Sequence, residues 1–262
     1  MADVVILEVS ERIATITLNR PEARNALSSE VLRALPQLMI DADGRSDVDV
    51  IILTGADPAF CAGLDLKELG SSGSNLGAAT GSAASAIAGS HGPFPPMTKP
   101  VIGAINGVAI TGGLEIALNC DLLIASERAR FGDTHTRVGV MPGWGMTVLL
   151  PQAIGIRRAR EMSFTGNFIT ADEAFHWGLV NHVVEHDELL PYTRRLALDM
   201  AGNDQAGVRQ IRATYSAVVA TTVAEGWAVE SRDSAGWQRR GFDPAEIERR
   251  RKAILERGRR QT

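Results

Sequence analysis

Apolar and polar positions divide the chain into a strand-rich first part and a helical last third. Residues 4–9 (VVILEV) and 12–18 (IATITLN), separated by Ser10-Glu11, are β-rich runs close enough to pair as a hairpin. Residues 48–54 (VDVIILT), 101–105 (VIGAI) and 121–125 (DLLIA) are nearly continuous apolar runs, which predicts strands buried on both faces. Ser28 and Ser29 offer an N-cap before a helix reaching about Asp43, which Pro36 is expected to kink or shorten. Strand, glycine turn and helix then alternate. This order predicts an α/β fold with a wound sheet and ligand-binding loops at strand ends. From Gly155 the pattern turns helical, with segments at 155–163, 171–177, 187–201, 206–219, 222–240 and 244–258 and a short strand at 180–184. The division expected is a core over 1–200 and a helical region over 201–262.

At 262 residues the chain can bury a large core without disulfides or metal. Its formal charge of -4 gives no reason to expect nucleic acid as a partner, so an acidic ligand has to be held locally. Cys61 and Cys120 have neither metal-ligand spacing nor a secreted framework around them; buried thiols in a reducing compartment are expected. The start, MADVVILEVSER, lacks a basic stretch ahead of an apolar one, and no segment has 18 uninterrupted apolar residues. The expectation is a cytoplasmic protein that does not enter membranes. No metal constellation or dinucleotide fingerprint is visible. Between Gly70 and Gly92 the chain is rich in Gly, Ala and Ser with almost no charge, reading either as a lid or as a small-residue helix with flexible joints. The final ERRRKAILERGRR is basic, as a solvated helix face or as a rim that meets phosphates.

In two segments glycine, a helix start and a functional side chain coincide. Ala59 to Lys67 (AFCAGLDLK) follows the strand ending at Thr54-Gly55, and Asn106 to Glu115 (NGVAITGGLE) follows the strand at 101–105. Small residues admit a ligand close to the backbone, and the first N–H groups of a helix are free to donate. Two such turns facing each other would make an oxyanion hole.

Together with Asn19-Arg20-Pro21-Glu22-Ala23-Arg24-Asn25-Ala26-Leu27, Lys99 to Gly107 (KPVIGAING), Gly112 to Asp121 and Phe131-Gly132 through Pro142-Gly143, these segments resemble the crotonase superfamily, the enoyl-CoA hydratase/isomerase family, along most of the chain. The resemblance implies a spiral of ββα units with a helical C-terminal region, assembled as a trimer or a dimer of trimers. It implies an acyl-CoA thioester as ligand, coenzyme A entering as part of the substrate and not as a separate cofactor. Leu64 and Gly112 match the two positions whose backbone N–H groups hold the thioester oxygen. Ala23 and Arg24 match the coenzyme A contact, where an arginine suits a phosphate; otherwise Arg24 is a solvated surface residue. Ala62, Asp65 and Leu66 match the stretch lining the adenine pocket, although Asp65 can equally cap the helix that begins there. The tail Arg239-Arg240-Gly241-Phe242-Asp243-Pro244 departs from the usual hydratase ending, which puts a C-terminal coenzyme A contact in doubt.

Hydration of a 2-enoyl thioester needs a base for water and an acid for the α-carbon, with the oxyanion hole stabilising the enolate-like intermediate. In the hydratases of this family two glutamates share that work. Glu115 matches the first; the position of the second is His135. Histidine can exchange protons near neutral pH, so Glu115 and His135 read as an acid/base pair, with Asp133 in reserve if 133–135 is extended and the two side chains share a face. Hydration of a trans-2-enoyl-CoA leads over double-bond isomerisation, because many isomerases of the family retain the glutamate that His135 replaces. A non-catalytic acyl-CoA carrier is the reading from another class. The 70–92 segment and Met141-Pro142-Gly143-Trp144 are expected to shape the acyl pocket, Trp144 as a bulky apolar wall.

Overall fold

In the computed structural model, which describes residues 3–76, 92–239 and 244–261, the first two apolar runs pair as β1 (Val5–Ser10) and β2 (Ile13–Leu18), antiparallel, with Val5 opposite Leu18. Glu11 and Arg12 turn the hairpin with φ of 51° and 64°, the left-handed pair that matches strand twist in a two-residue loop. Ser28 caps α1 (Ser29–Gly44), its Oγ accepting from Val31 N at 3.3 Å. The helix is not shortened at Pro36. Pro36 lies on the buried ridge with Val31, Leu32, Leu35, Met39 and Ala42, and packing of that ridge offsets the lost hydrogen bond.

Three repeats follow, each a long strand, a three-residue strand and a helix. They are β3 (Val50–Gly55), β4 (Ala59–Cys61) and α2 (Leu66–Ser71); β5 (Val101–Ile105), β6 (Val108–Ile110) and α3 (Gly112–Leu118); and β7 (Leu122–Ser126), β8 (Arg130–Gly132) and α4 (His135–Val138). Next come α5 (Met146–Ile154), α6 (Ile156–Thr165), β9 (Phe168–Thr170), α7 (Ala171–Trp177), β10 (His182–Val184) and α8 (Leu189–Ala201). The long strands build a six-stranded sheet in the order β1-β2-β3-β5-β7-β10, parallel from β2 onward. The short strands build a second sheet, β4-β6-β8-β9. The chain thus steps between two sheets once per repeat, a spiral of ββα units. The sequence pattern missed the second sheet: 106–115 was expected to turn straight into a helix, whereas β6 intervenes. The helix expected to start at 155 is preceded by α5, from which Gly155 separates α6.

The main core lies between α1, the two sheets and α3, and a smaller one lies under α8 on the other face of the first sheet, around Ile13, Val50, Ile52, Ile102 and Ile124. Cys61 is buried as expected; Cys120 is only partly covered, its Sγ donating to Ile116 O at 3.6 Å. The chain divides into two compact units, one ending at Arg209 and one beginning at Gln210, with α9 (Gln205–Val219) crossing the boundary. In the second unit α9 is joined to α10 (Val223–Arg239) by Thr214 Oγ1 donating to Asp233 Oδ2 at 2.8 Å, and α11 (Pro244–Gln261) follows. Among the described residues no helix is long and apolar enough to cross a membrane. Most of the 70–92 segment, expected to be a lid or a helix, lies outside the described residues.

Candidate functional site

Leu64, Gly112, Glu115 and His135, which come from three separate segments of the chain, line one cavity of about 830 Å³. Its other walls are mostly apolar and come from Leu76, Val140, Met141, Trp144, Met146, Val148 and Leu149. Trp144 is thus a wall of this cavity, and its Cζ3 would lie 3.7 Å from a Cβ added to Gly112.

Two main-chain N–H groups face this space without a partner among the described residues. Leu64 forms an isolated parallel bridge with Leu27, made by Leu27 N donating to Gly63 O at 2.8 Å and Asp65 N donating to Leu27 O at 3.1 Å. The bridge uses the groups on either side of Leu64, so the Leu64 N–H points the opposite way. Gly112 opens α3, whose first N–H groups precede any carbonyl of the helix that could accept them. The two segments are held close by glycine. Gly63 takes φ of 81°, and a Cβ there would come within 2.9 Å of Ile110 O. Gly113 packs on Cys61, whose carbonyl oxygen would lie 2.1 Å from an added Cβ.

Thr111, just before α3, has φ 55° and ψ -115°, a strained conformation for a non-glycine residue. It is fixed at four points: its N donates to Gly132 O (2.9 Å), its carbonyl accepts from Glu115 N (2.9 Å), and its hydroxyl meets Thr134 Oγ1 (2.5 Å) and Thr134 N (3.2 Å). The strain lies at the residue that aims the Gly112 N–H.

The Glu115 carboxylate is 3% exposed and held from both ends. Oε1 accepts from Trp144 N (2.8 Å) and Met146 N (3.4 Å), while Oε2 lies 3.5 Å from His135 Nε2. Asn119, one turn along α3, ties Glu115 O to Trp144 O through its Nδ2, at 2.8 Å each. His135 is 5% exposed, and its Nδ1 faces Asp133 Oδ1 at 2.6 Å. Burial alone would lower the pKa of this imidazole, but the hydrogen bonds and charges of Asp133 and Glu115 outweigh it and push it up to about 9. The imidazolium is therefore the form held at neutral pH, donating from Nδ1 to Asp133 and turning its Nε2–H toward Glu115.

Asp133 does not reach the cavity. The condition that held Asp133 in reserve, an extended 133–135 stretch, is not met: α4 begins at His135, and Asp133 Oδ1 accepts from His135 N at 3.1 Å. Its other oxygen accepts from Ser163 Oγ at 2.6 Å. Although burial opposes it, these donors hold the Asp133 carboxyl below its ordinary range. Asp133 thus backs His135 and does not stand beside it.

Ala23, Arg24, Ala62, Asp65 and Leu66 do not line the cavity but gather next to Leu64. Ala62 N donates to Arg24 O at 3.1 Å, which lays the 20–25 loop along 62–66. Buried Asn25 anchors that loop, its Nδ2 donating to Ala56 O (2.7 Å) and Ala59 O (2.6 Å) and its Oδ1 accepting from Arg20 N (2.8 Å). Arg24 and Leu66 are exposed, and among the described residues the Arg24 guanidinium has no partner. Asp65 caps α2, accepting from Lys67 N (3.0 Å) and Glu68 N (3.3 Å), and pairs with Arg20 at 3.0 Å. Sequence reasoning missed Asn119 and Ser163. Asn119 was legible from its i+4 spacing to Glu115; Ser163 had no local signal.

A ββα spiral whose cavity sets two unpartnered main-chain N–H groups beside a carboxylate–imidazolium pair defines the class of protein. The model of the enoyl-CoA hydratase/isomerase family matches residues 8–257, and the chain belongs to that family. It is 40% identical to the putative enoyl-CoA hydratase/isomerase YngF of Bacillus subtilis, over 88% of this chain and 89% of that one. A crystal structure of an enoyl-CoA hydratase from Mycobacterium tuberculosis H37Rv is 48% identical with a TM-score of 0.75, covering 89% of this chain and 98% of that one. Another, from Bacillus anthracis, is 33% identical with a TM-score of 0.85 and covers 96% of both.

Proposed function

We propose that this protein is an enoyl-CoA hydratase that adds water across the double bond of a trans-2-enoyl-CoA to give the 3-hydroxyacyl-CoA. The observation that carries the reading is the Glu115–His135 pair, 3.5 Å apart, opening onto the same cavity as the Leu64 and Gly112 N–H groups. The thioester oxygen sits between those N–H groups, which stabilise the charge that develops on it. Glu115 accepts a proton from water as the oxygen attacks C3, and the electron pair moves through C2 to the thioester oxygen. When the enolate collapses, C2 takes the Nε2 proton of His135. One proton has moved onto Glu115 and one has left His135; transfer between the facing atoms restores the starting state. Their gap exceeds a usual hydrogen bond, and both atoms belong to residues that line the cavity where the substrate is placed.

Coenzyme A belongs to the substrate, and no separate cofactor is required. Its nucleotide end extends from Leu64 along Ala23, Arg24, Ala62, Asp65 and Leu66, with Arg24 on a phosphate. The working form is a homotrimer or a dimer of trimers: Ile211, Tyr215 and Val219 recur at one-turn spacing on α9 and are exposed, as are Val223 and Trp227 on α10. The free thiols Cys61 and Cys120 accord with a reducing, cytoplasmic setting. The test is the loss of crotonyl-CoA absorbance with pure protein, which Glu115→Gln should abolish while acyl-CoA binding persists. Binding without turnover in the unmodified protein would favour a carrier.

A further inference from the structure

We infer that Ser163, on α6, is a positioning residue that acts through Asp133 to hold His135 as the proton donor facing Glu115. Resting on the hydratase reading, this adds two residues behind the acid/base pair and gives them an order.

The chain of contacts is continuous. Ser163 Oγ donates to Asp133 Oδ2 (2.6 Å), Asp133 Oδ1 accepts from His135 Nδ1 (2.6 Å) and from His135 N (3.1 Å), and His135 Nε2 faces Glu115 Oε2 (3.5 Å). A carboxylate with one oxygen on the imidazole can still rotate about its last side-chain bond. Fixing the second oxygen removes that freedom, so the Nδ1–H bond keeps its direction and the ring keeps Nε2 toward the cavity. Ser163 comes from an element the ββα repeat does not supply, α6, which packs against α4.

The charged groups facing His135 are Asp133, from the preceding loop, and Glu115, from α3. From α6 comes only the uncharged Ser163. Arg137, on the short helix of His135 itself, is turned away, donating to Thr165 O (3.1 Å) and Asn167 Oδ1 (2.9 Å). The protonation of His135 therefore reports directly on whether Asp133 is held in place.

The experiment is an NMR titration of the intact protein labelled at histidine, for the unmodified chain and for Ser163→Ala and Ser163→Thr, with the His135 signal assigned from its absence in His135→Gln. The same samples are assayed for kcat and KM on crotonyl-CoA. The unmodified protein should show His135 titrating near 9. Ser163→Ala should lower that midpoint by about one pH unit, the size of one misdirected charge-assisted contact, and Ser163→Thr, which keeps the hydroxyl, should restore it. In the assay Ser163→Ala should lower kcat by roughly tenfold with KM little changed, as for an interaction made in the transition state. An unmoved midpoint in Ser163→Ala overturns the proposal, as does a shift that threonine fails to restore, which would mark α6 packing alone. If the unmodified protein titrates as expected but hydrates nothing, the hydratase reading fails while the positioning role stands.

Discussion

His135 Nε2 lies 3.5 Å from Glu115 Oε2, and the far side of the same ring is hydrogen-bonded to Asp133, so a buried imidazole sits between two carboxylates. An arrangement of this kind is costly unless the ring is charged and both ends are paired. In the proposed mechanism this charged ring is the acid, and its charge also matters to the fold.

That charge sets a stability prediction. The folded pKa, about 9, lies above the ordinary 6.5, so the group favours the folded state fully below about pH 6.5, and its contribution fades as pH rises through 9. His135→Gln should therefore melt below the unmodified protein at pH 6, with the gap narrowing by pH 10. Thermal unfolding of both proteins across that range checks it; a gap constant with pH would show that folding does not shift the His135 pKa.

The approach of the two loops makes a steric prediction. A methyl group at Gly113 would meet Cys61 O at 2.1 Å, inside contact distance for backbone that cannot yield cheaply. Gly113→Ala should cost about 1–3 kcal/mol of stability, the usual penalty for overpacking. It should also lower kcat by separating the Gly112 and Leu64 N–H groups. Denaturant unfolding and steady-state kinetics report the two effects; full activity in a folded variant would detach Gly112 from the chemistry.

Arg24 makes a binding prediction. As an exposed cation without a partner among the described residues, it should contribute to coenzyme A affinity only. Arg24→Ala should raise KM roughly three- to tenfold at low salt with kcat unchanged, as expected for an exposed ionic contact of about 1 kcal/mol. The difference should shrink in high salt. Isothermal titration with coenzyme A at two salt concentrations tests it, and equal affinity of both proteins would remove Arg24 from the nucleotide site.

The legible parts of the fold were those with a long enough pattern. Val50–Gly55, Val101–Ile105 and Leu122–Ser126 announced themselves as apolar runs, and Ala171–Trp177 as a helix with matching bounds. Three-residue strands such as Val108–Ile110 are shorter than two alternation periods and leave no pattern. Pro36 did not shorten α1 as it could have, because propensity weighs a lost hydrogen bond but not the buried ridge around it. In the site, Glu115 and His135 were found through the family resemblance. The backing of His135 was not, because Ser163 meets Asp133 across 30 positions and by one hydroxyl, a contact that only tertiary structure creates.

The measurement that tests the central claim most directly is the rate of crotonyl-CoA absorbance loss for the unmodified protein, Glu115→Gln and His135→Ala, each with acyl-CoA binding measured in parallel. The account predicts turnover by the unmodified protein and a loss of about a hundredfold or more in each variant, the scale of a lost general acid or base, with binding retained. Turnover that survives in His135→Ala at an undiminished rate would contradict it.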